Sequence, residues 1–358
     1  MSRPIVAQLS VAALNHNIAA IRRRAAGKFI WGVVKADAYG HGLLNLLPTL
    51  GALDGLALLD PSAALEARAA GWTKKLLLIE GFFTADDIPE LARSNIETVV
   101  HSLWQIAMLE ENPTAEKIAV HVKLNSGMNR LGFRPEEVDG VLARLAKIAN
   151  VRVVGFVNHF ANSDLERNVA GKTSVDSQLS RVARVHSNLA FSLSNSSAIF
   201  FHEIREEEVR AGIVLYGVSP NDVPEKELGL LPVMRLKTRV IAMQDLKEGD
   251  QVGYGSNFTA VKPMQIAVIA CGYADGYLRH ADTPRVVAIE GRLAPIVGNV
   301  SMDMITIDVT GIENAAVGSE VELWGEHIPV NSVAKASNTI GYELLCNVNP
   351  RVPRQIID

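Results

Sequence analysis

The chain has 358 residues, enough for about two domains at roughly 150 residues each, with one large barrel-like domain as the competing reading. Gly and Pro at ordinary frequency, 48% hydrophobic and 21% charged residues exclude collagen-like, low-complexity and disordered classes. A net charge of -4 leaves no basic surplus for neutralising phosphates along a nucleic acid.

The opening segment carries a Pro, a Gln and a Ser and no long apolar core, and no later apolar run approaches the roughly 18 residues of a membrane span. Arg22, Arg23, Arg24 and Lys28 fall in an Ala-rich helical stretch and read as a solvated face. Cys271 and Cys346 stand far apart in no C-x-x-C pattern, which fits a reducing compartment. The expectation is a cytoplasmic protein with no membrane or nucleic-acid partner.

From residue 29 onward, apolar and β-branched runs recur over 29–34, 56–59, 76–79, 97–100, 118–124, 151–160, 189–194 and 209–216, giving eight predicted strands. Ala/Leu-rich segments of helical period lie between most of them, as at 61–70, 85–94, 102–111, 135–149 and 174–188. The strands read as continuously apolar, as in a parallel sheet covered on its faces. Eight such units within about 230 residues point to an α/β fold built on a closed (β/α)8 TIM-type barrel, with an open doubly wound sheet as the alternative.

After Leu231-Pro232 the helical period fades and short alternating runs take over, at 237–243, 265–271, 285–289, 304–309 and 320–324, separated by turn residues such as Glu290-Gly291. The expected organisation is a barrel over 1–231, followed by a mostly antiparallel β-strand domain over 232–358.

In such a barrel, functional groups project from the C-terminal ends of the strands. The first run ends in Lys35-Ala36-Asp37-Ala38-Tyr39-Gly40-His41-Gly42. A lysine placed there is half desolvated, which favours a neutral amine able to attack a carbonyl, although a salt bridge is the commoner role. The fifth run places Lys123 in the strand and Arg130 in the loop above it, and two cations aimed at one cavity require an anion. The sixth ends in Asn158-His159, the seventh in Ser194-Asn195-Ser196-Ser197, and the eighth carries Arg210-Ala211-Gly212-Ile213. Backbone N–H groups after the last two strands, with the Ser196 hydroxyl beside them, would form a phosphate site.

Each residue also has a plainer reading: His159 as a core histidine, Arg210 as half of an internal ion pair, Ser196 as a helix N-cap. Together, a lysine, an arginine, a histidine and a phosphate cradle on one rim suit pyridoxal 5'-phosphate, an aldehyde that forms an imine with lysine and whose ring draws off electrons.

The segment from Val34 to Gly42 closely resembles the cofactor-attachment segment of the bacterial alanine racemases. The likeness continues through Leu124-Asn125-Ser126-Gly127-Met128-Asn129-Arg130-Leu131-Gly132, Arg210-Ala211-Gly212-Ile213, Gly253-Tyr254-Gly255, Gly272-Tyr273-Ala274-Asp275-Gly276-Tyr277 and Ser301-Met302-Asp303. This resemblance implies a homodimeric isomerase interconverting L- and D-alanine, for wall precursors or for alanine breakdown, with each site completed by the partner's β-domain. By the same resemblance Lys35 is the Schiff-base lysine and one base, and Tyr254 is the opposite base, supplied by the partner. Two bases on opposite faces are what proton exchange with inversion requires.

A phenol is a poor base at pH 7. The family supplies help through a histidine matching His159, hydrogen-bonded to the tyrosine and to an arginine matching Arg210. That arginine also faces the pyridine nitrogen, where a guanidinium keeps its proton and so weakens the ring as an electron sink. Arg130 would meet the cofactor's phenolic oxygen and the substrate carboxylate, and Lys123 matches a lysine that is N-carboxylated in many members. Phosphate contacts implied are Tyr39, Ser196, Gly212, Ile213 and Tyr342. The Met302 N–H would meet the substrate carboxylate, and Tyr273 would stand at the entrance. Two departures are Asn299, where many members have Arg, and Ser301, where some have Cys.

The alternatives are a racemase of broader specificity, a decarboxylase of the same fold, a non-catalytic carrier of the cofactor and a metal-dependent hydrolase. Arg210 and Tyr254 argue against the decarboxylase, and the second domain against the carrier. The nine histidines show no metal-ligand spacing, so no metal is expected.

Overall fold

The computed structural model describes residues 3–165 and 169–358. The first strand, β1 (Val6–Ser10), leads into the helix Val11–Arg24. Eight strands follow: β2 (Phe29–Val33), β3 (Gly55–Leu58), β4 (Lys75–Leu78), β5 (Glu97–Val100), β6 (Ile118–Lys123), β7 (Val151–Val157), β8 (Ala190–Ser192) and β9 (Glu208–Ala211). They form a closed parallel barrel, in which β9 returns to β2 with Phe29 opposite Glu208 and Gly32 opposite Ala211. Helices over their outer faces and packed side chains within leave β3, β5, β6 and β9 buried along their whole length, which is why these strands read as unbroken apolar runs.

Two of the expected runs are shortened. The run 209–216 divides at Gly212: the strand ends at Ala211, and Ile213–Tyr216 is a buried 3-10 turn. The run 151–160 stops as a strand at Val157, which leaves Asn158 and His159 at the barrel rim.

The second domain contains β10 (Met234–Leu246), β11 (Gln251–Val252), β12 (Phe258–Thr259), β13 (Met264–Ile269), β14 (Val286–Ile289), β15 (Arg292–Pro295), β16 (Ile305–Asp308), β17 (Glu320–Trp324) and β18 (Arg354–Ile357). Eight strands share one sheet, in the order β15, β14, β17, β10, β1, β18, with β13 paired to both β10 and β16, while β11 and β12 form a separate ladder. Every pairing is antiparallel except that of β1 with β18.

Residues 6–10, which sequence reading grouped with the barrel, therefore pair in the second sheet. Ser10 joins the two ends of the chain, because its hydroxyl accepts from Ala13 N–H and donates to the Asp358 carboxylate, which also accepts from Ala12 N–H. One hydrophobic core runs from barrel residues such as Trp31 and Leu56 through Tyr216 to Leu236, Trp324 and Leu344, and a smaller separate cluster gathers Val252, Ala260, Met264, Ile266 and Val297. The domains thus share one interior. Among the described residues, no helix is long and apolar enough to cross a membrane.

A buried ion cluster lies at the opposite end of the barrel from the rim. His121 Nε2 meets Glu97 Oε2 at 2.6 Å, Lys75 Nζ meets Glu97 Oε1 at 3.0 Å, and Trp31 Nε1 donates to Glu208 Oε2 at 2.7 Å. Burial alone would raise the Glu97 pKa, but the His121 and Lys75 partners outweigh it and hold the carboxyl below its ordinary value. Its contribution to stability is therefore present above the ordinary carboxylate range and is lost as pH falls through the lowered value. Glu97→Gln is expected to cost about 2–3 kcal/mol at pH 7 and to flatten the acid limb of the stability curve, as measured by denaturant unfolding across pH.

Candidate active site

Lys35 follows β2 directly and opens the short helix Lys35–Gly40. The next four residues, Ala36, Asp37, Ala38 and Tyr39, all have φ between 52° and 54° and Gly40 follows at 76°, so the segment is a left-handed turn with a glycine only at its end. Each such residue costs about 1–2 kcal/mol, and a run of four persists only where its surroundings over-determine it. Local bonds contribute: Ala38 N–H donates to Val34 O, Gly42 N–H to Asp37 O, and Leu43 N–H to Asp37 Oδ1 at 2.7 Å.

The turn directs the Tyr39 ring inward, against Tyr216 at 4.9 Å between centroids and 6.0 Å from Tyr342 on the helix Gly341–Asn347. Burial pushes the pKa of both Tyr39 and Tyr342 up, so both remain neutral hydroxyl donors. A Cβ placed on Gly212 would lie 2.8 Å from Tyr39 Oη and 3.4 Å from Ser196 Oγ. Tyr39, Ser196 and Gly212 therefore surround one small polar space, with Gly212 N–H donating to Ser196 Oγ at 2.8 Å. Ile213 begins the 3-10 turn that leaves this point.

Asn195, rather than Ser196, caps the helix Ser196–Phe201 by accepting from Ala198 N–H. The plain capping role thus belongs to Asn195. Ser197 Oγ, which sequence reading did not single out, is buried and has no hydrogen-bond partner among the described residues. Its position beside Ser196 in a hydroxyl-rich strand end was the available signal.

Arg210 is buried at the end of β9, and its guanidinium donates to Ser192 O and Oγ, to Asn158 O and, at 3.4 Å, to Leu193 O. Among the described residues it forms no salt bridge. The two nearby carboxylates are engaged elsewhere, Glu206 with Ser194 N–H and Glu208 with Trp31. An internal ion pair is therefore not what holds Arg210. Burial lowers its pKa to about 10, which still leaves it charged at neutral pH.

Lys123 closes β6 nearby, and burial, followed by repulsion from Arg210 and Arg130, brings its pKa down to about 7. Arg130 itself is exposed, on a loop folded back so that Leu124 pairs with Phe133. His159 is pulled well below the ordinary histidine value by burial, then by the positive fields of Arg210, Lys123, Arg130 and Lys35. Its ring is therefore neutral, and four cations picked out from the sequence converge on it. The His159 carbonyl accepts from Gln178 Nε2, and among the described residues no hydrogen bond joins its ring to Arg210. A rim so positive demands an anionic ligand.

Tyr254 and Met302 lie elsewhere, 69% and 53% exposed on loops of the second domain. Asn299 Nδ2 donates to Tyr254 O at 2.8 Å, Tyr273 N–H donates to Ser301 O, and Ala274 N–H to Met302 O. A Cβ on Gly272 would sit 2.3 Å from Met302 O, so these loops can pack together only with glycine there. Tyr254, Asn299, Met302 and Tyr273 thus belong to one set of adjoining loops, and no barrel-rim side chain is hydrogen-bonded to them among the described residues. One chain carries two separate clusters of functional groups.

Residues 9–220 match the family model described as alanine racemase, N-terminal domain, and residues 233–356 the one described as alanine racemase, C-terminal domain. The chain is 44% identical over 362 residues to an alanine racemase of Erwinia tasmaniensis, covering 99% of each chain. It is 45% identical over 360 residues to one of Nitrosomonas europaea, covering 98% of each. Among solved structures it is similar to the alanine racemase of Acinetobacter baumannii, with a TM-score of 0.92 at 39% identity, covering 99% of this chain and 100% of that one.

Gly212→Ala is expected to place a methyl group in the space beneath Tyr39 and so weaken binding of a phosphate-bearing ligand by about tenfold, equivalent to about 1.4 kcal/mol. Titration with pyridoxal 5'-phosphate followed by absorbance reads this; unchanged affinity would count against the cradle.

Proposed function

Given that the chain belongs to the alanine racemase family, and so is an isomerase interconverting L- and D-alanine, we propose that it moves the α-proton between Lys35 on one face of the substrate and the partner subunit's Tyr254 on the other. The observation that carries this reading is the division of functional groups described above. Lys35, Lys123, His159, Ser196 and Arg210 meet at the barrel rim, whereas Tyr254 and Met302 stand exposed on a different part of the same chain. A homodimer in which each β-domain serves the other subunit's rim brings the two sets together.

The cofactor proposed is pyridoxal 5'-phosphate, and the residues present fit it. The space bounded by Tyr39, Ser196 and Gly212 suits a phosphate, with the Ile213 N–H and the Tyr342 hydroxyl as further donors. Arg210 offers a proton that is not given up, which suits an unprotonated ring nitrogen and argues against the acid partner expected in a decarboxylase. When bound, this cofactor supplies an aldehyde for the amino group and an electron-withdrawing ring that acidifies the α-C–H bond.

The chain's own groups then divide the work. Lys35 takes or returns the proton on its face of the substrate. His159 is kept neutral by burial and by the surrounding cations, so it can accept a hydrogen bond from the Tyr254 phenol and help that group give up its proton. Arg130 and the N–H of the partner subunit's Met302 bind the substrate carboxylate. The neutral fraction of Lys123 at pH 7 is able to add carbon dioxide, releasing one proton and forming an N-carboxylate. That change would turn its repulsion of Arg130 into attraction and fix the guanidinium in place.

Lys35→Ala is expected to abolish both the lysine–cofactor absorbance and racemisation, and full activity in this variant would overturn the assignment. In deuterium oxide, Tyr254→Phe should slow α-hydrogen exchange from L-alanine far more than from D-alanine. Mixing the two variants under conditions of subunit exchange should restore part of the activity, because half of the mixed sites regain both bases.

A further inference from the structure

The left-handed turn after Lys35 is not secured by local bonds alone. Its last three carbonyl oxygens each receive donors from outside the turn. His41 Nδ1 lies 2.9 Å from both Ala38 O and Tyr39 O, so that nitrogen carries the proton and donates to the two carbonyls. The ring is fully buried and stacked 4.5 Å from Tyr216, whose hydroxyl donates to Val33 O at the end of β2.

Gly40 O receives both Nε and Nη2 of Arg354, the first residue of β18, at 3.1 and 3.0 Å. The rest of that guanidinium donates to Val348 O, Asn349 O and Val352 O, which anchors it to the chain just beyond the helix Gly341–Asn347. That helix also bears directly on the turn, since a Cβ on Gly40 would fall 2.1 Å from Leu345 O. These acceptors are presented in this arrangement only while residues 36–39 stay left-handed.

We propose that Arg354, reaching across from the β-domain of the same chain, is a positioning residue for Lys35, with His41 as the second half of the clamp. The proposal rests on the reading of Lys35 as the attachment lysine and proton carrier. It gives the second domain a task within its own subunit in addition to the Tyr254 it would lend to the partner. Without the clamp the turn can relax, and Lys35 loses its register toward the substrate while the Tyr254 side of the site is untouched.

The test compares Arg354→Ala, Arg354→Lys, His41→Asn and Lys35→Ala in the cofactor-loaded dimer, measuring kcat, KM and solvent-deuterium exchange separately from D- and L-alanine. Misplacement of a reacting group by about 1 Å costs on the order of 100-fold, so Arg354→Ala should lower kcat by about 10- to 100-fold with little change in KM. Exchange from D-alanine should fall more than exchange from L-alanine, the reverse of the Tyr254→Phe pattern. Arg354→Lys, which keeps one donor for Gly40 O but loses the planar fork, should recover part of the D-face rate.

A kcat for Arg354→Ala within twofold of wild type, or equal losses on both faces, would overturn the clamp. Should Arg354→Ala fail to fold, His41→Asn carries the same D-face asymmetry in milder form, and a symmetric loss there overturns it equally. Retained activity in Lys35→Ala would instead defeat the reading of Lys35. Loss in Lys35→Ala beside a normal Arg354→Ala would defeat the clamp alone.

Discussion

A buried guanidinium that, among the described residues, forms no salt bridge lends a positive field to the whole rim. The two terminal nitrogens of Arg210 donate to Ser192 O and Oγ, Asn158 O and Leu193 O at the ends of neighbouring strands, and these neutral partners do not cancel its charge. Burial, reinforced by the positive field that remains, keeps His159 neutral and brings Lys123 close to half-protonation at neutral pH. It also makes the rim receptive to anions, so ligand charge completes what the protein leaves uncompensated. A carboxylate paired with Arg210 would cancel its share of these effects, though not the share that burial contributes.

Geometry distributes the remaining roles. The barrel places its polar groups at strand ends, where β7, β8 and β9 stop short and leave Asn158, His159, Ser194 and Gly212 facing the opening. The second domain carries its functional groups on loops between short antiparallel strands, around Tyr254 and Met302. Rigid strand ends suit the cationic groups, whose mutual distances govern their protonation. Exposed loops suit groups that meet their counterparts on another surface.

Much of the architecture could be read from the chain. The eight barrel strands announce themselves as apolar runs because both faces of each are covered, and the change in texture after Pro232 marks the second domain. What escaped reading depends on distant partners. β1 is a five-residue strand whose pairing lies more than two hundred residues ahead, on β10 and β18. The left-handed turn is signalled only at its end, by Gly40, because the conformation of Ala36 to Tyr39 is imposed by His41, Arg354 and Leu345 rather than preferred by their own side chains. At the site, motif likeness pointed to Lys35, Tyr39, Ser196 and Arg210, which lie at or near the barrel rim. Whether Ser196 or Asn195 capped its helix, and whether Arg210 had an acidic partner, were questions of packing that no local pattern could decide.

The pairing of β1 with β18, together with the Arg354 contacts, also has a temporal side. Gly40 and Arg354 are 314 residues apart, and β18 aligns beside the first strand of the chain. Closing so long a loop is among the slowest kinds of contact to form. During synthesis, the segment bearing Lys35 leaves the ribosome early and must wait for almost the entire chain before its outside supports arrive. Lys35 is thus among the first parts of the rim to be made and among the last to be set in place, so a barrel caught before completion would lack its final geometry.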